Sequence, residues 1–264
     1  MEPRKLLLYF VLKNNGDWDK TYSDISQKKP IEDEEEARKL IAKVRSNYIT
    51  ILDDNYPEQL KDIKKPPFIL FYHGDISLIK NKKKCISVVG CRDNSEYGEF
   101  VTKTLVSELA KDFVIVSGLA RGIDGISHQT ALESGGKTVA VLGCGINICY
   151  PLDNKGLYNE IRKKGLILSE YPNFTPPVST QFPIRNRIVA ALSCCLLVTE
   201  GEKNSGTSIT ATLTLENGGE VCCVPTHIGQ NSICNYLIAN GATLVETVQD
   251  IFDVIGHVPQ EDVF

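Results

Sequence analysis

The sequence is poor in the residue patterns that mark metal and disulfide proteins. Its 264 residues include one methionine, one tryptophan and four scattered histidines, and its nine cysteines contain no Cys-x-x-Cys spacing. Because structural zinc sites are built from closely spaced ligands of this kind, we expect no metal ion, and no motif indicates a cofactor. The odd cysteine number and the adjacent pairs in apolar runs favour reduced thiols in a cytoplasmic protein.

Long apolar runs and excess positive charge are also missing. The apolar stretch at residues 6–12 has only seven residues and no small-residue cleavage site, so it predicts a buried helix and no signal peptide or membrane span. The formal net charge is −4 and the pI is about 5.7. Since such a chain is not coated with basic residues, any nucleic acid must be held by a local basic patch.

The N-terminal part of the chain differs in pattern from the rest. Residues 33–48 carry apolar positions at helical spacing after an acidic first turn, and the lysine-rich residues 80–84 break the pattern. We therefore predict a small helical N-terminal domain plus connector over residues 1–80. A Rossmann-like core is predicted over residues 81–264.

In this core, strand-like and helix-like segments alternate. Short apolar runs without polar alternation, typical of strands buried on both faces, occur at 85–89, 113–117, 138–142, 166–169, 194–199 and 220–224. Predicted helices follow them at 96–111, 122–134, 154–163, 185–192, 208–216 and 231–240. This order predicts an α/β fold with an extended Rossmann-like, doubly wound, mostly parallel sheet. Ligands of such sheets bind beyond the C-terminal ends of the strands.

Two loops at those strand ends combine glycine with arginine. Gly90 and Arg92 follow the first strand of the core, and Ser117, Gly118 and Arg121 follow the second. Glycine lets the backbone approach an anion, a helix N-terminus offers unpaired N–H groups, and a guanidinium matches phosphate oxygens. The two loops together predict a site for a phosphate-bearing ligand.

A nicotinamide site is excluded by the same loops. It requires Gly-x-Gly-x-x-Gly after the first strand and an acidic residue at the end of the second. Residues 90–92 lack the second glycine, and the second strand ends in Ser117 and Gly118.

A series of motifs runs along the core and carries a family resemblance. The motifs are Gly90-x-Arg92 with Ser95-x-Tyr97-Gly98, Ser117-Gly-Leu-Ala-Arg-Gly-Ile-Asp124, Tyr150-Pro151-x-x-Asn154, Ser169-Glu-Tyr-Pro172, Phe182-Pro-Ile-Arg-Asn-Arg-Ile188 and Ser205-Gly-Thr207. In this order they resemble the DNA-processing protein A family, also called DprA or Smf, over roughly residues 54–251.

The resemblance implies a function in DNA recombination. It implies a protein that binds and protects single-stranded DNA, forms a homodimer and loads the RecA recombinase onto incoming strands during natural transformation of competent cells. The family is not known as an enzyme, so no catalytic residue is expected, and neither is membrane attachment. Its N-terminal part is often sterile-alpha-motif-like. Many members continue into a winged-helix domain, which we do not expect in this chain.

The predicted DNA-binding site follows from the motifs and from residue chemistry. Arg92 and Lys155 resemble the family's basic DNA pocket, and we predict that both contact phosphates. An alternative for Lys155 is a solvated lysine, and for Arg121 it is an ion pair with Asp124. The full predicted site comprises Gly90, Arg92, Ser117, Gly118, Arg121, Lys155, Arg185, Asn186, Ser205, Gly206 and Thr207.

Several neighbouring residues have two possible roles. One of Arg185 and Arg187 is expected to reach a phosphate while the other pairs with Glu170 or Glu200. His128 is expected to be structural. Aromatic rings near the basic groups can stack on bases, but core packing is the first expectation for each of them: Tyr97, Tyr150, Tyr171 and Phe182.

An enzymatic alternative exists on the same core. It also resembles phosphoribohydrolases that cleave nucleoside monophosphates and carry Pro-Gly-Gly-x-Gly-Thr followed closely by glutamate. Residues 204–210 keep the Gly-Thr turn but have no carboxylate after it, so hydrolysis would need Glu200 or Glu202. A purely structural domain is a third alternative, which the arginine-bearing loops disfavour.

Overall fold

The computed structural model describes residues 1–258. Their helices are α1 (Pro3–Lys13), α2 (Trp18–Ser26), α3 (Glu34–Ala42), α4 (Glu96–Asp112), α5 (Ile123–Glu133), α6 (Lys155–Lys164), α7 (Gln181–Leu192), α8 (Gly206–Glu216), α9 (Ile233–Ala239) and α10 (Val248–Ile255). Their strands are β1 (Asn47–Thr50), β2 (Ile69–Gly74), β3 (Cys85–Gly90), β4 (Val114–Ser117), β5 (Lys137–Val141), β6 (Leu166–Ser169), β7 (Cys195–Glu200), β8 (Glu220–Cys223) and β9 (Thr243–Leu244).

The strands form one sheet in the order β1-β2-β6-β5-β4-β3-β7-β8-β9. The pairs β1–β2 and β2–β6 are antiparallel, and the pairs from β6 to β9 are parallel. The predicted mostly parallel, doubly wound α/β fold is therefore confirmed. The strands β4, β5 and β6 follow one another on one side of β3, and β7 lies on the other side of β3. This reversal between β3 and β7 is the position where such sheets bind ligands.

The sheet is covered on both faces, as strands of purely apolar sequence require. Alternate residues of β3 point to opposite layers. Val89 belongs to a cluster with Ile188 of α7 and Ala211 of α8, whereas Val88 packs with Leu109 of α4. This alternation fixes the register of β3 and thereby the position of the loop that follows it.

The N-terminal helices pack on the same sheet. The predicted buried helix at residues 6–12 is confirmed as α1, whose Leu8 and Val11 share an apolar cluster with Phe71 of β2. The helix predicted over residues 33–48 is wrong beyond Ala42, because residues 47–50 form β1. Ile49 and Thr50 are β-branched, and their pairing with β2 overrides the helical spacing.

The sheet extends across the predicted domain boundary at residue 80. In β2, Phe71 pairs with Ser169 of β6. The division into residues 1–80 and 81–264 stays a prediction, and residues 259–264 lie outside the described part of the chain. Among residues 1–258, none of the helices has the length and apolar character needed to cross a bilayer.

Candidate functional site

A cleft of about 500 Å³ opens where the sheet reverses, at the C-terminal ends of β3 and β7. The loop after β3, one side of α7 and the start of α8 form its walls. The predicted site residues that line it are Gly90, Arg92, Arg185, Asn186, Ser205, Gly206 and Thr207. The predicted residues Ser117, Gly118, Arg121 and Lys155 are not part of this lining.

Arg92 supplies an accessible positive charge in the cleft. Its side chain is exposed, and its guanidinium carbon lies 5.9 Å from the centroid of the Phe182 ring. It forms no ion pair with a carboxylate of residues 1–258. A guanidinium that is exposed and without an internal partner can bind phosphate from solution.

The start of α8 adds a second group that attracts anions. Ser205 precedes the helix, but its hydroxyl donates to the carbonyl oxygen of Glu202 at 2.7 Å and does not cap the helix. The N–H groups of Gly206 and Thr207 lie in the first turn, where no helical carbonyl is available as acceptor. The positive end of the helix dipole therefore faces the cleft.

The start of α4 does not act in this way. The Ser95 hydroxyl accepts from the N–H of Gly98 at 3.0 Å, and the Glu200 carboxylate accepts from the N–H of Ser95 at 2.9 Å. A carboxylate of β7 thus already occupies this helix end. The expectation that α4 offers unpaired N–H groups to a phosphate is therefore wrong.

Gly90 has a packing role beside the cleft. A β-carbon at this position would lie 2.5 Å from Cγ1 of Ile123 and 2.6 Å from the carbonyl oxygen of Glu200. Only glycine lets β3 pass this close to α5 and β7.

Arg185 lies at the base of the cleft and is almost fully buried. It is 5% exposed, and its Nη1 donates to the carbonyl oxygens of Gly118, at 2.7 Å, and Val141. Its guanidinium packs against Gly118, where a β-carbon would lie 2.6 Å from Cζ of Arg185. Burial raises the pKa of the nearby Asp124 carboxyl, and the positive charge of Arg185 opposes that rise. Arg185 therefore holds the ends of two strands together under the site.

Arg187 is the ion-paired member of the two arginines. Its guanidinium makes two hydrogen bonds to the Glu170 carboxylate, at 2.7 and 2.6 Å, and a third to the carbonyl oxygen of Lys65 at 2.9 Å. Both side chains are less than 10% exposed. The predicted alternative with Glu170 as partner is confirmed.

Ser117 and Arg121 have internal partners. The buried Ser117 hydroxyl donates to the carbonyl oxygen of Val88 at 2.6 Å, which ties β4 to β3. Arg121 pairs with Asp153 at 2.6 Å, so the alternative in which it pairs with Asp124 is wrong. The sequence gives no local sign of this partner, because Asp153 lies in the loop before α6.

Tyr150 and Phe182 form an aromatic pair at this site, and the Phe182 ring lies beside Arg92. The rings of Tyr150 and Phe182 have centroids 5.5 Å apart, and Tyr150 is 46% exposed. Tyr171 is buried in the core as expected, and the Tyr97 hydroxyl donates to the carbonyl oxygen of Pro225. Tyr150 and Phe182 are therefore the rings best placed to contact a base.

His128 is structural, as predicted. It is fully buried, and its Nδ1 lies 2.6 Å from Oγ1 of Thr138, whose hydroxyl also donates to the carbonyl oxygen of Ile115. Since the Thr138 proton is used there, Nδ1 of His128 carries the hydrogen of the imidazole. Burial and the charge of Arg185 lower the pKa of His128 to about 3.

A larger groove of about 660 Å³ lies between α2 and the loop after β6. Its charges are internally paired, since Lys65 binds Asp19 at 2.6 Å and Lys20 lies 3.4 Å from Asp17. It is therefore less suited to a polyanion than the cleft. Within residues 1–258 there is no group of three or more His, Cys, Asp or Glu side chains arranged to hold a metal ion.

The sequence profile of the DNA recombination-mediator protein A family matches residues 47–256. The DNA processing protein DprA of Streptococcus pneumoniae is 42% identical over 204 residues, which are 76% of this chain and 72% of that protein. Its Bacillus subtilis counterpart is 39% identical over 220 residues, which are 82% of this chain and 73% of that protein.

This chain belongs to the DNA recombination-mediator protein A family.

Solved structures of family members share the fold. The S. pneumoniae DprA structure matches with a TM-score of 0.78 at 37% identity, over 89% of this chain and 80% of that one. DNA processing protein A from Helicobacter pylori, which has a unique single-stranded DNA binding mode, matches with a TM-score of 0.72 at 30% identity. That match covers 80% of this chain and 96% of the H. pylori chain. The resemblance found in the sequence motifs is thus confirmed at the level of the family.

Lys155, which resembles a residue of the family's basic pocket, lies in a neighbouring pocket of about 440 Å³. Two other basic residues line that pocket, Arg45 and Arg162, and neither was among the site residues predicted from the sequence. The spacing of seven residues from Lys155 to Arg162 is a signal that could have revealed Arg162. Arg45 carries no such signal, because its position depends on how the chain before β1 packs.

Proposed function

We propose that this protein binds single-stranded DNA in the cleft between β3 and β7, protects the strand and delivers it to the RecA recombinase. The observation that carries this proposal is the Arg92 guanidinium, which forms no ion pair within residues 1–258 and lies in the same cleft as the start of α8. Both groups attract phosphate without reading the base. The H. pylori relative, which binds single-stranded DNA, supports the same conclusion.

The aromatic pair favours a single strand over a duplex. Phe182 lies beside Arg92, and the ring of Tyr150 lies 5.5 Å from that of Phe182. Single-strand binding proteins commonly combine cations on the backbone with rings that stack on unpaired bases. In a duplex the bases are already stacked on one another, so these rings would contribute little.

The finer parts of the proposal follow from the family resemblance. We propose that the protein forms a homodimer in the cytoplasm and loads RecA onto strands taken up during natural transformation. Sedimentation velocity tests the dimer directly. Filament assembly on strands covered by a single-strand binding protein, with and without this protein, tests RecA loading.

Catalysis is not part of the proposal. Glu200 accepts a hydrogen bond from the N–H of Ser95, which commits its carboxylate to the start of α4. Glu202 lies at the cleft but precedes the Gly-Thr turn, and nucleoside-monophosphate hydrolysis would have to use it alone. We expect no release of base from nucleoside monophosphates.

Fluorescence anisotropy with a labelled oligothymidine tests the proposal. We expect the wild-type protein to prefer the single strand over a duplex of the same length, and Arg92→Gln to weaken single-strand binding about tenfold or more. Lys83→Gln is the matched control, since Lys83 is exposed just before β3, at the opposite edge of the sheet. Equal losses in both variants, or hydrolysis without strand binding, would contradict the proposal.

A further inference from the structure

The pocket of about 440 Å³ beside α6 is lined by basic and apolar side chains. Arg45, Lys155 and Arg162 supply its charge, and Leu152 and Phe174 supply apolar surface that is 74% and 72% exposed. Among the described residues, no aspartate or glutamate lines it. The pocket is therefore suited to a ligand that carries both negative charge and flat apolar groups.

Its three cations differ from other basic residues nearby. Lys164 pairs with Glu160 and Arg121 pairs with Asp153, each within 2.7 Å. By contrast, no ion pair within residues 1–258 involves Arg45, Lys155 or Arg162. Three unpaired cations in one pocket repel each other, and a bound anion removes that repulsion.

The helix α6 arranges this charge along a line. Lys155, Asn159 and Arg162 are spaced by four and three residues, which places them on one face of the helix. At 1.5 Å per residue, Lys155 and Arg162 are about 10 Å apart along the axis. Because α6 connects the parallel strands β5 and β6, it runs from the C-terminal edge of the sheet back across its face. The basic face therefore leads away from the cleft.

The aromatic pair lies between the two pockets. Phe182 lines the cleft, and its ring is 5.5 Å from that of Tyr150. Tyr150 is next in sequence to Cys149 and close to Leu152, which both line the pocket beside α6. A chain of accessible groups thus runs from Arg92 through the rings to Lys155 and Arg162.

We propose that a single strand bound in the cleft continues over Tyr150 and along α6, where Arg45 and Arg162 contact its phosphates and Phe174 contacts a base. This inference rests on the proposed function and extends it. It makes the segment before β1, the strand at one edge of the sheet, part of the DNA-binding surface. The site accordingly holds a longer strand than the cleft alone accommodates.

Binding of oligothymidines of two lengths, about 5 and about 15 nucleotides, tests this path. The double variant Arg45→Gln/Arg162→Gln is expected to bind the short strand as wild type does and the long strand roughly tenfold more weakly. Its log–log salt slope on the long strand should fall by about 1.4, which is about 0.7 for each lost phosphate contact. The control variant Lys43→Gln/Lys163→Gln also removes two positive charges, from exposed positions next to Arg45 and Arg162 in sequence but outside the pocket. It should change neither the affinity for the long strand nor the salt slope.

A second variant tests the apolar part of the path. Phe174→Ala should weaken the long strand roughly tenfold at an unchanged salt slope, because it removes stacking and no charge. If Arg45→Gln/Arg162→Gln binds the long oligothymidine with the affinity and the salt slope of the wild type, the inference is overturned. The cleft then remains the proposed DNA-binding site. If the wild-type protein binds neither oligonucleotide, both the proposed function and this inference are overturned. Melting curves show whether each variant is folded.

Discussion

Replacing Arg185 or Arg92 by methionine should separate a structural arginine from a ligand-binding one. Arg185 is 5% exposed and donates to the carbonyl oxygens of Gly118 and Val141 beside the buried Asp124. Arg92 is exposed, and its guanidinium lies over the Phe182 ring. Methionine keeps most of the side-chain volume at either position, so the charge and the hydrogen bonds are the main loss.

The expected cost differs strongly between the two positions. Arg185→Met removes charge-assisted hydrogen bonds worth about 1.5–3 kcal/mol each and leaves Asp124 buried without its cation. The two lost hydrogen bonds, to the carbonyl oxygens of Gly118 and Val141, therefore predict a loss of about 3 kcal/mol or more. Arg92→Met should change the free energy of unfolding by less than about 0.5 kcal/mol, as exposed substitutions do.

Urea unfolding followed by circular dichroism measures both values. We expect the Arg185→Met midpoint to fall by more than 1 M, given m-values of about 1–3 kcal/mol per molar urea, and that of Arg92→Met to stay near wild type. The Arg92→Met protein should be fully folded and bind the single strand about tenfold or more weakly than wild type. Equal midpoints for the two variants would refute the assignment of Arg185 as a structural residue.

Three further predictions follow from the same geometry. In the folded protein the pKa of His128 is lowered to about 3, whereas its ordinary value is 6.5. The unfolded chain therefore binds a proton at His128 before the folded protein does, so the free energy of unfolding is highest above pH 6.5 and falls as the pH is lowered towards 3. At pH 4.5 the free energy of unfolding should be about 3 kcal/mol lower than at pH 7. The urea midpoints at pH 7 and pH 4.5 should therefore differ less in His128→Gln than in the wild type. Gly90→Val should lower both the melting temperature and strand affinity because its side chain meets Ile123; an unchanged melting curve would contradict this packing. Arg92→Glu/Lys155→Glu should nearly abolish strand binding and leave self-association intact in sedimentation, whereas loss of the dimer would place the interface at this edge.

The six parallel strands β3 to β8 were largely predictable because their signals are local. Apolar runs such as the one at residues 85–89 define a doubly buried strand, and the glycine after it marks the turn towards the cleft. The helix predicted through residue 48 failed for a non-local reason. Residues 47–50 pair with β2, and that pairing is invisible in a window of helical spacing.

The site was predictable in its residue types but not in their roles. Arg92 and Arg185 have similar contexts in the sequence, each in a motif at the sheet edge. Only the packing of α7 on the strands buries Arg185 and leaves Arg92 exposed. In the same way, Glu200 closes the start of α4 from a strand 105 residues away in sequence, which no local pattern indicates.

Photo-crosslinking of an oligonucleotide that carries 5-iodouracil tests the central claim most directly. We expect the crosslinks to map to Tyr150 and Phe182, because the Phe182 ring lies beside Arg92 and the Tyr150 ring lies 5.5 Å from it. The larger groove provides an internal comparison, since Trp18 stacks there on Tyr22 at 5.0 Å with Lys65 over its ring. Crosslinks at Trp18, with none at Tyr150 or Phe182, would place the strand in that groove and contradict the proposed site in the cleft.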